Sequence, residues 1–314
     1  MGKFLRRVLL VGMLVLVLAY IGISWVVASL VIEYRDVIDR DDLEWQAIYA
    51  PEWDVPVTET VEIMNGERVL VADIYDNPAE GDCGVITLHG LGGDRALVRQ
   101  YGPLFYQMGC DVISYDFAPR NNDVFLTYGY DEKDDLSVVL AWFAHYTGLP
   151  TEQIGLFGTS YGAATVLQAL PENDSIAWAI ADSSYASLSQ VLSDQINMVA
   201  PPLQITIPLI SFIIEERTGT AVEDVSPMDS ITLTDVPILV IHSRTDELIP
   251  FNNTQIIYDN AKPETTRLIL TDWGSLHVQS YYDDKIAYGT LVLDFLAEFA
   301  PNFGNQSDVA LQDL

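Results

Sequence analysis

Ile154-Gly155-Leu156-Phe157-Gly158-Thr159-Ser160-Tyr161-Gly162-Ala163-Ala164-Thr165-Val166-Leu167 joins an apolar run, a G-x-S-x-G turn and a small-residue helical pattern. A serine at the apex of such a strand-to-helix turn is held in a strained backbone conformation that lifts its hydroxyl clear of its neighbours. Glycines two residues to either side let strand and helix come close. A bare G-x-S-x-G also arises in ordinary glycine-rich turns, so by itself the pattern only nominates Ser160 as a nucleophile.

A nucleophilic serine needs a base to take its proton and an acid to orient that base. The chain has four histidines. His89, His242 and His277 each follow an apolar run, and His145 sits in an amphipathic stretch. In the strand-turn-helix arrangement the chain order is serine, carboxylate, histidine. After Ser160 come only His242 and His277. His242 belongs to the strand end of Ile241-His242-Ser243-Arg244-Thr245-Asp246, which leaves Asp246 as the acid on the following loop and His277 as the base beyond it. Asp182 also ends an apolar run between Ser160 and His277 and is the rival acid.

With these residues the chain resembles the α/β-hydrolases, in particular membrane-anchored, capped serine hydrolases of the esterase, lipase or serine aminopeptidase kind. The resemblance covers roughly residues 57–300. It rests on the serine turn, on Leu88-His89-Gly90-Leu91-Gly92-Gly93, on Ser114-Tyr115-Asp116, on Ile180-Ala181-Asp182-Ser183-Ser184-Tyr185 before a cap, and on Pro237-Ile238-Leu239-Val240-Ile241-His242. It implies a Ser160, Asp246, His277 triad and favours Asp246 over Asp182, which lies on the strand before the cap. Two departures stand out. Phe117-Ala118-Pro119-Arg120-Asn121-Asn122-Asp123 replaces an Arg-Gly-x-Gly-x-Ser type of turn, and Ser243 replaces a glycine after His242.

Acyl transfer also requires backbone N–H groups aimed at the developing oxyanion. The expected donors are Leu91 and Tyr161, the second at a helix N-terminus where N–H groups are unpaired and the macrodipole favours an anion. Tyr161, Trp273 and the cap, with Phe212, are expected to make the pocket apolar, which favours esters over amides. The expected activity is hydrolysis of a carboxylic ester, or else a thioester or amide, through an acyl-enzyme; the substrate is a small-molecule or lipid-like acyl ester. A membrane-anchored serine peptidase and a non-catalytic scaffold keeping the fold are the alternatives.

The chain has 314 residues, 49% of them hydrophobic, enough for one large α/β domain with appendages. A hairpin is predicted around Asn65-Gly66, then strands at 85–89, 112–115, 154–157, 176–181, 238–242 and 267–270, with helical patterns between most. Near-continuously apolar strands imply a mostly parallel sheet covered by helices on both faces, with the active site at the strands' carboxyl ends. Residues 185–229 interrupt the alternation and read as a cap, whose Pro201–Ile214 stretch is expected to line an acyl site. Residues 33–56 read as a linker and 301–314 as a mobile tail.

From Val8 to Ile32 the sequence has no charged residue, and Lys3, Arg6 and Arg7 precede it. As a helix this run is about 37 Å long, against a hydrocarbon core of ~30 Å. It is too long for a signal-peptide core and lacks a good cleavage site, so residues 1–32 are read as a cytoplasmic stub and uncleaved anchor. Basic residues before the span put the N-terminus in the cytoplasm and the remaining chain outside it.

Net charge is −30, with 45 acidic against 15 basic residues. Such a surface repels nucleic acid, and none is expected as a partner. It fits a salt-rich setting and equally a solvated surface that resists aggregation. No acidic cluster has the spacing of a calcium loop and the histidines do not form a zinc pattern, so no metal or other cofactor is expected. The two cysteines, Cys83 and Cys110, precede His89 and Asp116 by equal offsets on what should be adjacent parallel strands, within reach of a disulfide.

Overall fold

Asn65 and Arg68 face each other across a two-residue turn in which Gly66 takes a φ of +61°, a conformation that glycine adopts without steric cost. The turn joins β1 (Glu59–Asn65) to β2 (Arg68–Tyr75). In this computed structural model residues 2–33, 55–79 and 81–314 are described. Most of the expected linker, residues 34–54, lies outside the described residues.

The hairpin edges an eight-stranded sheet completed by β3 (Gly84–Leu88), β4 (Asp111–Tyr115), β5 (Ile154–Thr159), β6 (Trp178–Asp182), β7 (Ile238–Ser243) and β8 (Thr266–Thr271). Strand order is β1-β2-β4-β3-β5-β6-β7-β8. β2 runs antiparallel to β4, and every pairing from β4 to β8 is parallel. All residues of β3, β5, β6 and β7 are buried, as expected of strands covered on both faces.

The helices are α1 (Lys3–Ile32), α2 (Gly102–Gln107), α3 (Glu132–Thr147), α4 (Tyr161–Ala169), α5 (Leu188–Val199), α6 (Ile207–Thr218), α7 (Asn252–Asn260) and α8 (Lys285–Phe299), with shorter turns between them. The period of two along each strand sorts its side chains to opposite faces. Ile86, Leu88, Leu156 and Val240 pack with Leu136, Phe143, Val166 and Ile257 from α3, α4 and α7. Val85, Phe157, Leu239 and Ile241 pack on the other face with Phe105 of α2 and Tyr288, Val292 and Phe295 of α8.

α5 and α6 form the cap, linked by the tight turn Pro201–Thr206 that the paired prolines favour. Ser187 caps α5 by accepting the Gln190 N–H at 3.2 Å, and Gly219 ends α6 at φ +78°. A third core joins Leu188, Val191, Leu192 and Ile196 of α5 and Ile210, Ile213 and Ile214 of α6 to Ala28 and Ile32 of α1.

Register places Gly84 opposite Asp111, so Cys83 and Cys110 meet at the strand starts and are joined in a disulfide. The tail expected to be mobile is instead packed. Phe303 is buried against Trp178, Asn305 N–H donates to the Met108 carbonyl at 2.8 Å, and Ala310 N–H donates to Gln107 Oε1 at 2.8 Å. Phe303, Val309 and Leu314 pack on the second core, and Leu311 and Leu314 both close on Gly289 of α8.

Candidate active site

Ser160 stands between β5 and α4 with φ +52° and ψ −114°, the strained turn that its sequence predicts. Its N–H donates to the Asp182 carbonyl at 2.7 Å and its carbonyl accepts the Ala164 N–H at 3.0 Å, so strand and helix both hold the turn. Gly162 is required by contact: a Cβ there would sit 2.5 Å from the Leu88 carbonyl oxygen at the end of β3.

The Ser160 hydroxyl lies 2.8 Å from His277 Nε2, and His277 Nδ1 lies 2.6 Å from Asp246 Oδ2. With Nδ1 protonated, the ring donates to Asp246 and accepts from Ser160. The other oxygen of Asp246 accepts the N–H groups of Leu248 and Ile249, both at 2.9 Å. Burial by itself would raise this carboxyl, but hydrogen bonds from His242 and His277 outweigh it and hold Asp246 well below the usual carboxylate range. Asp182, the rival acid, touches no histidine ring; it accepts hydroxyls from Ser183 at 2.9 Å and Tyr288 at 2.9 Å, and burial raises it.

The backbone N–H groups of Leu91 and Tyr161 have no partner among the described residues. His89 shapes the loop that carries Leu91: its Nδ1 donates to the Gly90 carbonyl at 2.8 Å while Nε2 accepts the Phe117 N–H. Burial pushes the His89 ring down, which keeps it neutral and suits it to both bonds. The same loop is clamped by charge. Asp116 accepts the backbone N–H of Arg95 at 2.8 Å and its guanidinium at 2.6 Å, and Arg120 donates to the Gly93 carbonyl at 3.2 Å. Arg120 belongs to the divergent segment after Asp116, which makes a one-turn helix, Ala118–Asn121, closed by Asn122 against Ala118 and Val69.

A cavity of about 680 Å³ opens over Ser160 and His277. It is lined by Leu91, Leu97, Tyr128, Tyr161, Tyr185 and Ile249 of the main domain, by Val191, Leu192, Ile196 and Val199 of α5, and by Val27, Leu30 and Val31 of α1. Among the described residues no Asp, Glu, Lys or Arg lines it. Tyr128 (φ +55°) and Val278 (φ +55°) both line it with a backbone that non-glycine residues rarely adopt.

Two expected pocket residues are elsewhere. Trp273 packs on the second core, on the β8 side of the sheet. Phe212 is 55% exposed, because at about 100° per residue it falls on the face of α6 opposite to the buried Ile210, Ile213 and Ile214. From the Pro201–Ile214 stretch expected to line the site only Leu203 does so; α5 and α1 supply the wall that faces the main domain's residues. The contribution of α1 had no signal in the sequence, since it arises from long-range packing; the bond from His242 to Asp246 joins residues four apart, but only the turn after β7 brings ring and carboxylate together. His242 Nε2 lies 3.1 Å from Asp246 Oδ2 and 2.8 Å from the Ile249 carbonyl, entirely buried.

The sequence profile of the prolyl oligopeptidase family matches residues 121–302, more than half of the chain. YqkD, an uncharacterised Bacillus subtilis protein, is 27% identical over 297 residues, 90% of this chain and 94% of its own length. The Pyrococcus furiosus esterase Pf2001 superposes with a TM-score of 0.61 at 22% identity, covering 77% of this chain and 92% of the esterase. An acylaminoacyl peptidase from Pyrococcus horikoshii gives a TM-score of 0.56 at 16% identity over 77% of this chain and 41% of the peptidase. At these identities the structural likeness concerns the fold, which is that of the α/β-hydrolases.

Proposed function

The chain belongs to the prolyl oligopeptidase family, a serine hydrolase of the α/β-hydrolase type, and on that premise we propose that it cleaves carboxylic esters through an acyl-enzyme on Ser160. The observation that carries the reading is the relay of Ser160, His277 and Asp246, at 2.8 and 2.6 Å, beneath an apolar cavity with no charged lining residue among the described residues. Ser160 Oγ attacks the acyl carbon while His277 Nε2 takes its proton. The tetrahedral oxyanion lies at the N–H groups of Leu91 and Tyr161, where the α4 N-terminus adds its positive end. His277 then gives the proton to the leaving alcohol, and water, activated by the same ring, releases the acid. Asp246 keeps Nδ1 protonated and stabilises the imidazolium.

The family profile also favours a peptide substrate. A peptide terminus is recognised by a charged side chain or a comparable clamp, and the apolar cavity lining supplies none among the described residues, which supports the ester. A fluorophosphonate labelling gel tests the nucleophile, and parallel panels of p-nitrophenyl esters and N-acyl aminoacyl p-nitroanilides test the bond. Label on the wild type but not on Ser160→Ala, with the esters cleaved faster, is the expected result. Faster cleavage of the anilides would replace the esterase by the peptidase.

α1 is the one helix among the described residues long and apolar enough to cross a membrane. We read it as an uncleaved anchor with residues 1–7 cytoplasmic and the hydrolase domain outside, from the basic residues that precede it. Protease added to intact cells should reach the hydrolase domain; digestion only after lysis would reverse the orientation.

A further inference from the structure

Val27, Leu30 and Val31 belong to α1, yet they line the same cavity as Ser160 and His277. Polar contacts fix them there. The Tyr128 hydroxyl donates to the Val31 carbonyl at 3.1 Å, the Leu126 N–H donates to the Ile32 carbonyl at 2.8 Å, and Arg217 reaches Ser29 Oγ at 2.6 Å and Glu33 at 3.0 Å. Tyr128 then connects the helix end to the serine turn, its ring 5.5 Å from that of Tyr161 and its carbonyl accepting the Tyr185 hydroxyl at 2.8 Å.

The length of α1 locates this wall relative to a bilayer. A hydrocarbon core of ~30 Å takes about twenty helical residues at ~1.5 Å each. Counted from Val8, just past Arg7, that length ends near Val27, the first α1 residue to line the cavity. Before that point the helix presents exposed apolar side chains from Val8 to Leu18, and its buried residues are Ser24, Ala28 and Ile32. The cap reaches deeper still. The Tyr20 hydroxyl donates to the Ile205 carbonyl at 3.3 Å, which sets the Pro201–Thr206 turn beside a residue roughly 10 Å on the bilayer side of Val27. At that end of the cap Val199 is 84% and Ile205 72% exposed. Apolar groups at such a depth fit the headgroup–acyl boundary, where peripheral helices bury about 5–10 Å.

The geometry points to a lipid of the bilayer as the substrate: a long-chain acyl ester that leaves the leaflet between α1 and the cap and lays its chain along Val27, Leu30 and Val31. This rests on the ester-hydrolase reading above and makes α1 a wall of the binding site as well as a tether. The acyl carbon bonds to Ser160 Oγ as its bond to the lipid alcohol breaks. The alcohol departs with the proton from His277, and water returns the acid and the free serine. Because the domain is strongly acidic, apolar immersion and not headgroup charge holds the cap at the surface.

The test uses the full chain reconstituted in phosphatidylcholine vesicles with two probes, 4-methylumbelliferyl palmitate dissolved in the vesicles and 4-methylumbelliferyl acetate in the water. Val31→Trp fills the cavity from the α1 side, and Ile205→Asp charges the immersed turn. Each is expected to lower the palmitate-to-acetate ratio of kcat/KM by about tenfold or more. Ile205 is exposed, so Ile205→Asp decides the matter if Val31→Trp fails to fold. If both esters are cleaved through Ser160 and Ile205→Asp keeps the wild-type ratio, the bilayer route is overturned while the esterase stands. If the wild type cleaves neither ester, or Ser160→Ala cleaves both, the ester-hydrolase reading falls and the bilayer route with it.

Discussion

Ser243 donates its hydroxyl to the Ser275 carbonyl at 2.6 Å and thereby ties the strand end before Asp246 to the loop that carries His277. Thr245 donates to the same carbonyl at 2.8 Å. The serine that departs from the resembled pattern thus has a task a glycine could not perform. A neutral hydrogen bond contributes about 1 kcal/mol net. With two donors on one carbonyl, Ser243→Ala should lower kcat only a few-fold, and Ser243→Ala with Thr245→Val about tenfold, with KM little changed. Steady-state kinetics on a short ester measures both; a double variant with wild-type kcat would show that the His277 loop holds itself.

Ser160→Ala and His277→Ala should each lower kcat by several orders of magnitude while the fold persists. Asp246→Asn, which favours the wrong tautomer of His277, should cost about 10⁴-fold. Asp182→Asn should leave turnover far closer to normal, because that carboxylate binds Tyr288 and Ser183 instead of a histidine. Circular dichroism with single-turnover ester hydrolysis separates the cases, and an inactive Asp182→Asn beside an active Asp246→Asn would exchange the two acids.

The Cys83–Cys110 disulfide spans 27 residues of sequence. By loop-closure entropy a cross-link of that span stabilises by roughly 3–4 kcal/mol. Reduction should lower Tm by several degrees, and mass spectrometry of unreduced protein should find no free thiol. Two alkylatable thiols in protein from oxidising conditions would contradict the pairing.

Asp135 is pushed up to about 7, chiefly by burial, despite a hydrogen bond from Asn65 and an ion pair with Arg68. Its folded value therefore lies above the ordinary ~3.9. The stabilisation is complete below about pH 4 and is lost as pH rises toward 7, because folding then opposes ionisation. Asp135→Asn should flatten this part of the profile and melt higher than wild type at pH 8. Thermal melts of both proteins at pH 5 and pH 8 check it; parallel profiles would place Asp135 as an ordinary ion-pair partner of Arg68.

The serine turn was legible because its chemistry is local: strand, glycine-flanked serine and helix start follow one another in sequence, and the strain that exposes the hydroxyl belongs to that turn. Chain order singled out His277, and the apolar runs predicted the central strands because burial on both faces leaves no polar alternation. Equal offsets from two strand ends brought the cysteines together because parallel register preserves offset. The cavity wall was not legible. Phe212 is as apolar as its neighbours, and only the rotation of α6 against α1 turned it outward. The tail contained no periodic signal, and its packing on the second core is a contact between segments far apart in the chain. The sequence by itself determined a serine turn on a parallel sheet and an apolar N-terminal helix. Tertiary structure decided that the end of this helix walls the cavity, because side-chain packing between segments far apart in the chain is set by complementary shape and burial, which one-dimensional patterns do not encode.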